Sequence, residues 1–213
     1  MASRFIPKAS CRLGRRQNSL ESHGLSSQPW SDSAGYHVTT LSKSWLKTSN
    51  MLAVSNTSPI SNLASIGRLE LLKSQFSTLW IPDAVDRELA AHPDPIAQAA
   101  IQNAIQAKWM QIGTPRSSGL LQVLLLQLHR GEAEAIALAA EINADFVLLD
   151  EQEGRQLASR IGLSVTGVLG VLLRAKHAGE IAAVKPEVDL LRAKAHFFVS
   201  PQLEQKTLAA AGE

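Results

Sequence analysis

The sequence of 213 residues has little cysteine, few aromatic residues and no long hydrophobic run. Its only cysteine is Cys11, which excludes a framework of disulfides and a cysteine-based zinc site. Purely apolar runs such as residues 123–126 fall far short of the ~18 consecutive apolar residues that a membrane helix needs. We therefore predict a globular chain without a membrane segment, in keeping with its 45% hydrophobic and 19% charged residues.

The sequence also lacks a large excess of positive or negative charge, since its net charge is +2. This charge is unevenly distributed along the chain. Residues 1–50 contain seven Lys or Arg against two acids, which gives this segment a net charge of +5. Residues 51–213 contain fourteen against seventeen, a net charge of −3. The overall pI of about 8.8 is therefore a property of the first fifty residues.

The first fifty residues differ from the rest in pattern as well as in charge. They contain eleven serines and almost no apolar residues at helix or strand spacing, so we expect a mostly disordered tail before a folded domain at 51–213. Three interpretations stay open: translated upstream sequence with Met51 as the natural start, an organelle transit peptide, or a basic tail that helps to hold nucleic acid. A secretory signal is disfavoured because no apolar stretch follows the basic residues.

From Met51 onward, short apolar segments alternate with longer helical patterns. The predicted strands span residues 52–55, 78–81, 109–112, 144–150 and 163–165. The predicted helices span residues 60–74 with a break at Gly67, 83–91, 95–108, 119–129, 132–142, 152–161, 166–178, 186–195 and 201–210. This alternation predicts an α/β fold with a mostly parallel sheet that helices cover on both faces.

Ligands of open α/β sheets bind beyond the carboxyl ends of the strands, so polar residues at those ends are the candidate site. The candidates are Asn56, Thr57 and Ser58 after the first strand, Glu88 in the helix after the second, Glu132 at a helix start, and Asp150 with Glu151 at the end of the fourth. Oxygen ligands without His or Cys select hard cations such as Mg²⁺ or Mn²⁺. Without a cation, two carboxylates ~4 Å apart repel by roughly 4 kcal/mol at an effective dielectric constant of 20. A divalent cation offsets this repulsion and serves phosphoryl chemistry, whereas nucleotide binding is disfavoured because no Gly-rich phosphate loop is present.

The same segments carry a resemblance to a known family. They are VSNTSPI at 54–60, LELL at 69–72, WIP at 80–82, VDRE at 85–88, GEAEAIALA at 131–139, ADFVLLDE at 144–151, GR at 154–155, GLSVTGVLG at 162–170 and LLRAK at 172–176. In this order they resemble the PIN domain, in a branch of prokaryotic proteins similar to VapC-type toxins, over about residues 51–212. The resemblance implies a three-layer α/β/α fold and a cytoplasmic endoribonuclease that uses Mg²⁺ or Mn²⁺. It also implies a homodimer and a cognate antitoxin protein whose tail blocks the site.

Carried over by motif, the resemblance implies that Asn56, Glu88, Glu132 and Asp150 hold the metal, with Glu151 as a helper. Ser58 matches the hydroxyl residue that steadies metal or substrate, and Thr57 and Arg155 lie in the same motifs. This chain departs from the family at Asn56, where the family has Asp. An amide oxygen can coordinate a cation, but it brings no charge and cannot act as a base. The alternative is therefore a weakened or inactive PIN-like module that binds RNA or a partner protein.

Each candidate also has a simpler structural interpretation. Asn56 could cap the next helix or form an Asx turn, and Glu88 could be a solvated helix residue. Glu132 and Glu134 lie about 200° apart around a helix, so only one can face the site. We assign that place to Glu132 and expect Glu134 to be a helix-dipole partner or a surface charge. Glu151 could be a first-turn acid of the next helix.

Basic residues near the site would have to bind RNA, because the domain itself is slightly acidic. Arg155 is expected either to contact phosphate or to neutralise Asp150. The candidates for a basic patch are Arg68, Arg116, Arg130, Arg155, Arg174 and Lys176. The four histidines of the domain that we considered, at positions 92, 129, 177 and 196, are scattered, and we expect them to be non-catalytic.

Overall fold

The computed structural model describes residues 51–213, so the tail predicted at residues 1–50 lies outside the described residues. The strands are β1 (Leu52–Ser55), β2 (Thr78–Pro82), β3 (Met110–Gly113), β4 (Phe146–Leu148) and β5 (Val165–Thr166). The helices are α1 (Thr57–Ser65), α2 (Glu70–Gln75), α3 (Asp83–Ala90), α4 (Pro95–Gln106), α5 (Gly119–Leu124), α6 (Arg130–Glu141), α7 (Gln152–Arg160), α8 (Val168–His177), α9 (Lys185–Ala195) and α10 (Pro201–Ala211). No helix in this part of the chain is both long enough and apolar enough to cross a bilayer.

The five strands form one parallel sheet in the order β3-β2-β1-β4-β5. The central strand β1 pairs with β2 on one side and β4 on the other, so Ala53 lies opposite both Leu79 and Phe146. Because β1 is short and apolar and its backbone is paired on both edges, it suits the buried centre of a parallel sheet. The predicted parallel α/β sheet is confirmed.

Helices cover both faces of the sheet. Successive residues of a strand point to opposite faces, and in β1 Ala53 joins the larger apolar core while Val54 joins the smaller one. The larger core includes residues of α1, α2, α4, α8, α9 and α10, and the smaller core is formed with α5, α6 and α7. This arrangement is the three-layer α/β/α architecture that the sequence predicted.

The predicted boundaries differ from the observed ones at a few ends. The predicted break at Gly67 separates α1 from α2, and this glycine adopts the left-handed backbone conformation (φ +71°). The helix predicted at 119–129 ends as α5 at Leu124, and turns follow it. The strand predicted at 144–150 is shorter as β4, although the N–H of Leu149 still donates to the Thr166 carbonyl at 2.9 Å.

The carboxyl ends of β1 and β4 meet side by side at one edge of the sheet. The N–H of Asn56 donates to the carbonyl of Leu148 at 3.1 Å, which joins the residue after β1 to the last residue of β4. The next turns of the chain start α1 and α7 at this edge. The fold therefore brings the polar residues after the two central strands to one place.

Candidate active site

Asn56 lies between β1 and α1 and is almost fully buried (3% exposed). Its backbone is extended and it occupies the N-cap position of α1, but its side chain makes no capping hydrogen bond. Its Oδ1 is buried and finds no hydrogen-bond donor within residues 51–213. The geometry therefore gives no support to a helix-capping role and leaves a buried oxygen that needs a partner.

Asp150 follows β4 and is held by two donors from other elements. The Val168 N–H at the start of α8 donates to Oδ1 at 2.9 Å, and Asn62 Nδ2 on α1 donates to Oδ2 at 3.2 Å. Burial raises the pKa of Asp150 to about 6, although these hydrogen bonds and the positive charge of Arg155 oppose the rise. The carboxylate is thus fixed in orientation, and the effect of burial on its pKa outweighs that of its hydrogen bonds and of Arg155.

Glu132 lies in the first turn of α6 and is also buried (5% exposed). Burial raises its pKa to about 7, and the negative charge of Glu151 adds to the rise. Its Oε1 has no hydrogen-bond donor among the described residues. A second unsatisfied oxygen therefore lies in the same part of the fold as Asp150, whose pKa Glu151 also raises.

Glu151 and Glu88 are exposed, unlike Glu132. Glu151 is the residue before α7, and its side chain makes no capping bond there. Glu88 on α3 accepts a hydrogen bond from the Thr57 hydroxyl, which ties α3 to the start of α1. Glu88 also lies against Gly131, at the start of α6. Its interpretation as a purely solvated helix residue is therefore incomplete, because it has a specific partner.

A glycine packs against each of the three predicted metal-binding acids. The pairs are Gly131 with Glu88, Gly154 with Glu132, and Gly167 with Asp150. A Cβ on Gly154 would lie 2.7 Å from Glu132 Oε1, and one on Gly167 would lie 2.5 Å from Asp150 Oδ1. The carboxylates thus occupy space that the Cβ of any residue other than glycine would need. Our sequence reasoning missed this packing, although all three glycines lie in the quoted motifs.

Among the acids, the structure corrects the prediction for Glu134. It was expected to be a helix-dipole partner or a surface charge, but it is buried (6% exposed). Its Oε2 accepts from the N–H of Ala84 in the first turn of α3 at 3.3 Å, and its Oε1 accepts from Arg130 at 2.6 Å. It therefore binds the N-terminus of a neighbouring helix, and the surface-charge alternative is wrong.

Arg155 is buried (7% exposed), and its Nη1 donates to the Leu149 carbonyl at 2.7 Å. Its charge lowers the pKa of Asp150, so the geometry favours neutralisation of Asp150 over contact with phosphate. Three of the other five candidate cations pair with acids: Arg68 with Glu187, Arg116 with Glu141, and Arg130 with Glu134. Arg174 contacts the sulfur of Met51, and Lys176 donates to the carbonyl of Ala182. All six thus have a contact within the chain.

An open cleft of about 330 Å³ lies beside Asp150. Its lining combines hydroxyl, amide, carboxylate and aromatic groups: Thr57, Ser58, Ser61, Asn62, Asp150, Glu151, Ala195, His196, Phe197 and Phe198. Of the predicted site residues, Thr57, Ser58, Asp150 and Glu151 thus share one cleft. Asn62 was missed by our sequence reasoning, because its bond to Asp150 spans 88 positions of the chain.

The side-chain atoms at this edge that could bind a metal suit a hard divalent cation. They are oxygens, two of them are buried without a hydrogen-bond donor, and a positive charge would offset the burial of the Glu132 and Asp150 carboxylates. Within residues 51–213, however, no three Asp, Glu, His or Cys side chains form a group that could hold a metal. Any further protein ligand beside Glu132 and Asp150 is therefore an oxygen other than a third carboxylate, and the amide oxygen of Asn56 is the predicted one.

The sequence matches the model of the PIN-domain family DUF3368 over residues 52–213. A search of curated proteins gives no significant match. PIN domains are generally nucleases, and they typically use divalent metal ions. The match covers most of the chain and agrees with the parallel α/β/α fold and with a polar edge rich in oxygen ligands. The chain belongs to the PIN-domain family.

Proposed function

We propose that the chain is an Mg²⁺- or Mn²⁺-dependent endoribonuclease that acts as the toxin of a toxin–antitoxin pair in the cytoplasm. One observation carries the metal-dependent part: Asn56 Oδ1 and Glu132 Oε1 are buried oxygens without donors within the described chain, at the sheet edge that holds Asp150. Such atoms cost free energy unless a positive group compensates them. Membership of a nuclease family supports the same chemistry.

Asn56, Glu132 and Asp150 would hold the cation. In the part of the chain that the structure describes, Glu88 forms no three-acid group with Glu132 and Asp150, so it would act on the cation from outside this set. When bound, the cation would supply a Lewis acid and an activated water for attack on an RNA phosphodiester. Asn62 and the Val168 N–H orient the Asp150 carboxylate, which removes the cost of ordering it when the cation binds. Glu151, exposed in the cleft, would be the helper at the metal and could accept a proton there.

The amide of Asn56 sets the expected strength of this activity. It contributes an oxygen without a negative charge, so the site attracts a cation less than an all-carboxylate site would. We therefore expect slow cleavage that Asn56→Asp accelerates, by about tenfold or more. The buried environment of Asn56 (3% exposed) amplifies this effect, because charges interact more strongly where water is excluded.

The decisive experiment incubates the purified full chain with structured RNA and Mg²⁺ or Mn²⁺. Asp150→Asn should lower the cleavage rate by about a hundredfold or more, because it removes a charged ligand candidate. Asp86→Asn on α3 is the matched control, because Asp86 is not a proposed ligand and does not line the cleft, so the rate should be unchanged. Equal rates for the wild type and Asp150→Asn would reject the proposed site.

A second candidate function is a non-catalytic PIN-like module that binds RNA or a partner protein. Asn56 favours it, together with the lack of a group of three acids within residues 51–213. Cleavage that appears only in Asn56→Asp would indicate a degenerate site. If no version cleaves RNA but RNA or a partner still binds, the non-catalytic function is correct.

The toxin role, the antitoxin and the homodimer are tested separately from cleavage. Expression of the chain in bacteria should arrest growth, and Asp150→Asn should relieve the arrest. Co-expression of a small protein encoded beside the gene should also relieve it if that protein is the antitoxin. Light scattering of the purified chain should give twice the monomer mass of 23.0 kDa if it forms the proposed homodimer.

A further inference from the structure

The cleft beside Asp150 ends in an exposed aromatic residue that the proposed chemistry does not use. Phe198 is 85% exposed, the highest exposure among the large hydrophobic residues of the described chain. It shares the cleft lining with Asp150, Ser58 and Asn62. A solvent-exposed phenyl ring costs free energy in water, and here it borders the place where the phosphodiester would react.

The backbone holds Phe198 in this position from both sides. The residue before it, Phe197, packs against the larger core, and its N–H donates to the Leu191 carbonyl of α9 at 3.2 Å. The residue after it, Val199, is buried (5% exposed). With Phe197 and Val199 both packed inward, Phe198 faces outward, as its exposure shows. The backbone at Phe198 is held in this way, so it needs little reordering when a ligand packs on the ring.

We infer that Phe198 is a stacking platform for one unpaired base of a single-stranded RNA, next to the phosphodiester held at Asp150. This inference rests on the proposed function, which it deepens by naming a residue outside the metal site that would contact the substrate. Every base has a flat π face, so an aromatic side chain binds unpaired nucleotides with little dependence on sequence. A base inside a duplex is already stacked and cannot take this position without being displaced.

The charge of the domain requires that RNA bind in the cleft partly through uncharged contacts. Residues 51–213 carry a net charge of −3, and Asp150 and Glu151 add negative charge to the cleft itself. Attraction for phosphates is therefore weak, and affinity for RNA has to come partly from contacts that do not depend on charge. Stacking is such a contact, and the hydroxyls of Ser58 and Ser61 in the same lining can donate to the sugar or phosphate.

The test measures binding of the full chain to a short single-stranded RNA that carries fluorescent 2-aminopurine. Ca²⁺ replaces Mg²⁺ so that binding is followed separately from cleavage. Phe198→Ala should weaken binding by about tenfold and abolish the quenching of 2-aminopurine that stacking causes, whereas Phe198→Trp should retain both. Leu126→Ala, at another highly exposed apolar residue (83%), is the matched control and should bind like the wild type.

Two further measurements make the result unambiguous. Phe198→Ala should bind duplex RNA as the wild type does, and its mass by light scattering should be unchanged. Unaltered binding and quenching in Phe198→Ala, or no binding by the wild type, would overturn the inference. A change of oligomeric state with normal RNA binding would also overturn it, because Phe198 would then be a protein contact.

Failure of this inference is distinguishable from failure of the proposed nuclease function. If RNA is cleaved with Mg²⁺ but Phe198→Ala changes neither binding nor quenching, the stacking role is wrong and the nuclease function stands. If binding and quenching depend on Phe198 but no cleavage occurs, the stacking role stands and the chain is the non-catalytic module.

Discussion

The acids on the two sides of the candidate site differ in their access to water. On the β4 side, Glu132 is buried, and Asp150 is held by donors from α1 and α8. On the β2 side, Glu88 is exposed and accepts a hydrogen bond from Thr57. Both sides pack a glycine against the carboxylate, so close packing does not distinguish them. The difference is access to water.

This difference indicates where a cation matters most. A carboxylate that has lost water favours its protonated form, and burial raises the pKa of Asp150 to about 6 and that of Glu132 to about 7. An exposed carboxylate keeps its hydration and gains less from a bound ion. We therefore expect the β4 side to dominate cation binding, and Glu88 to adjust it.

The largest effect should be a pH dependence of stability that belongs to Glu132. Its pKa is higher in the folded than in the unfolded chain, so the folded state binds more protons between about pH 4.5 and pH 7 and becomes less stable as the pH rises through this window. Without divalent cations, the free energy of unfolding of the wild type should fall by about 1–3 kcal/mol as the pH rises through this window. Glu132→Gln should not show this loss. Urea unfolding at pH 5 and pH 8 measures it, with Glu70→Gln as an exposed control. Identical pH profiles for the wild type and Glu132→Gln would show that Glu132 is adequately hydrated.

A similar effect is expected for Gly167→Ala, through packing alone. The backbone of Gly167 is extended (φ −155°), so alanine fits its conformation, but the new Cβ would lie 2.5 Å from Asp150 Oδ1 and 2.9 Å from the Leu149 carbonyl oxygen. We expect a loss of about 1–3 kcal/mol in the free energy of unfolding, measured by urea denaturation. Gly119→Ala is the control, because no atom lies within 4 Å of its added Cβ. If both variants are equally stable, the close packing around Asp150 is not real.

Gly154→Ala should separate cation binding from stability. Its Cβ would approach only the flexible end of Glu132, at 2.7 Å from Oε1, and alanine favours the helical conformation of α7. We expect a change of less than about 1 kcal/mol in the free energy of unfolding but several-fold weaker binding of Mn²⁺, measured by calorimetry. Unchanged Mn²⁺ affinity would argue against Glu132 as a ligand.

The smallest effect on stability is expected from Glu88→Gln. Because Glu88 is exposed and the glutamine oxygen can still accept from Thr57, the free energy of unfolding should change by less than about 0.5 kcal/mol. A larger loss would mean that Glu88 is as important as the buried acids, and the proposed contrast between the two sides would fail.

The sequence predicted the fold well because local signals and packing agree. Apolar strand segments alternate with helical patterns, and this alternation was sufficient to predict a parallel sheet, although only the structure shows that β1 lies at its centre. The misplaced ends have local causes. The sequence at 119–129 looks continuously helical because it is rich in leucine, yet Leu125 and Leu126 face solvent there and α5 ends at Leu124.

The site was predictable only in part. The strand-end rule identified Asn56 and Asp150, since it depends on topology alone. It could not identify Asn62, whose contact with Asp150 joins distant parts of the chain, or the burial of Glu134 against α3. The glycine partners were visible in the motifs, but their role depends on which carboxylate packs against each, and only the folded structure shows that.

The central claim is that Asn56, Glu132 and Asp150 form a site for one divalent cation. Calorimetric titration of the full chain with Mn²⁺ tests it without any requirement for catalysis. We expect saturable binding of one ion, about tenfold or more weaker in Asp150→Asn and about tenfold or more tighter in Asn56→Asp. Absence of saturable binding, or the same affinity in all three proteins, would contradict it.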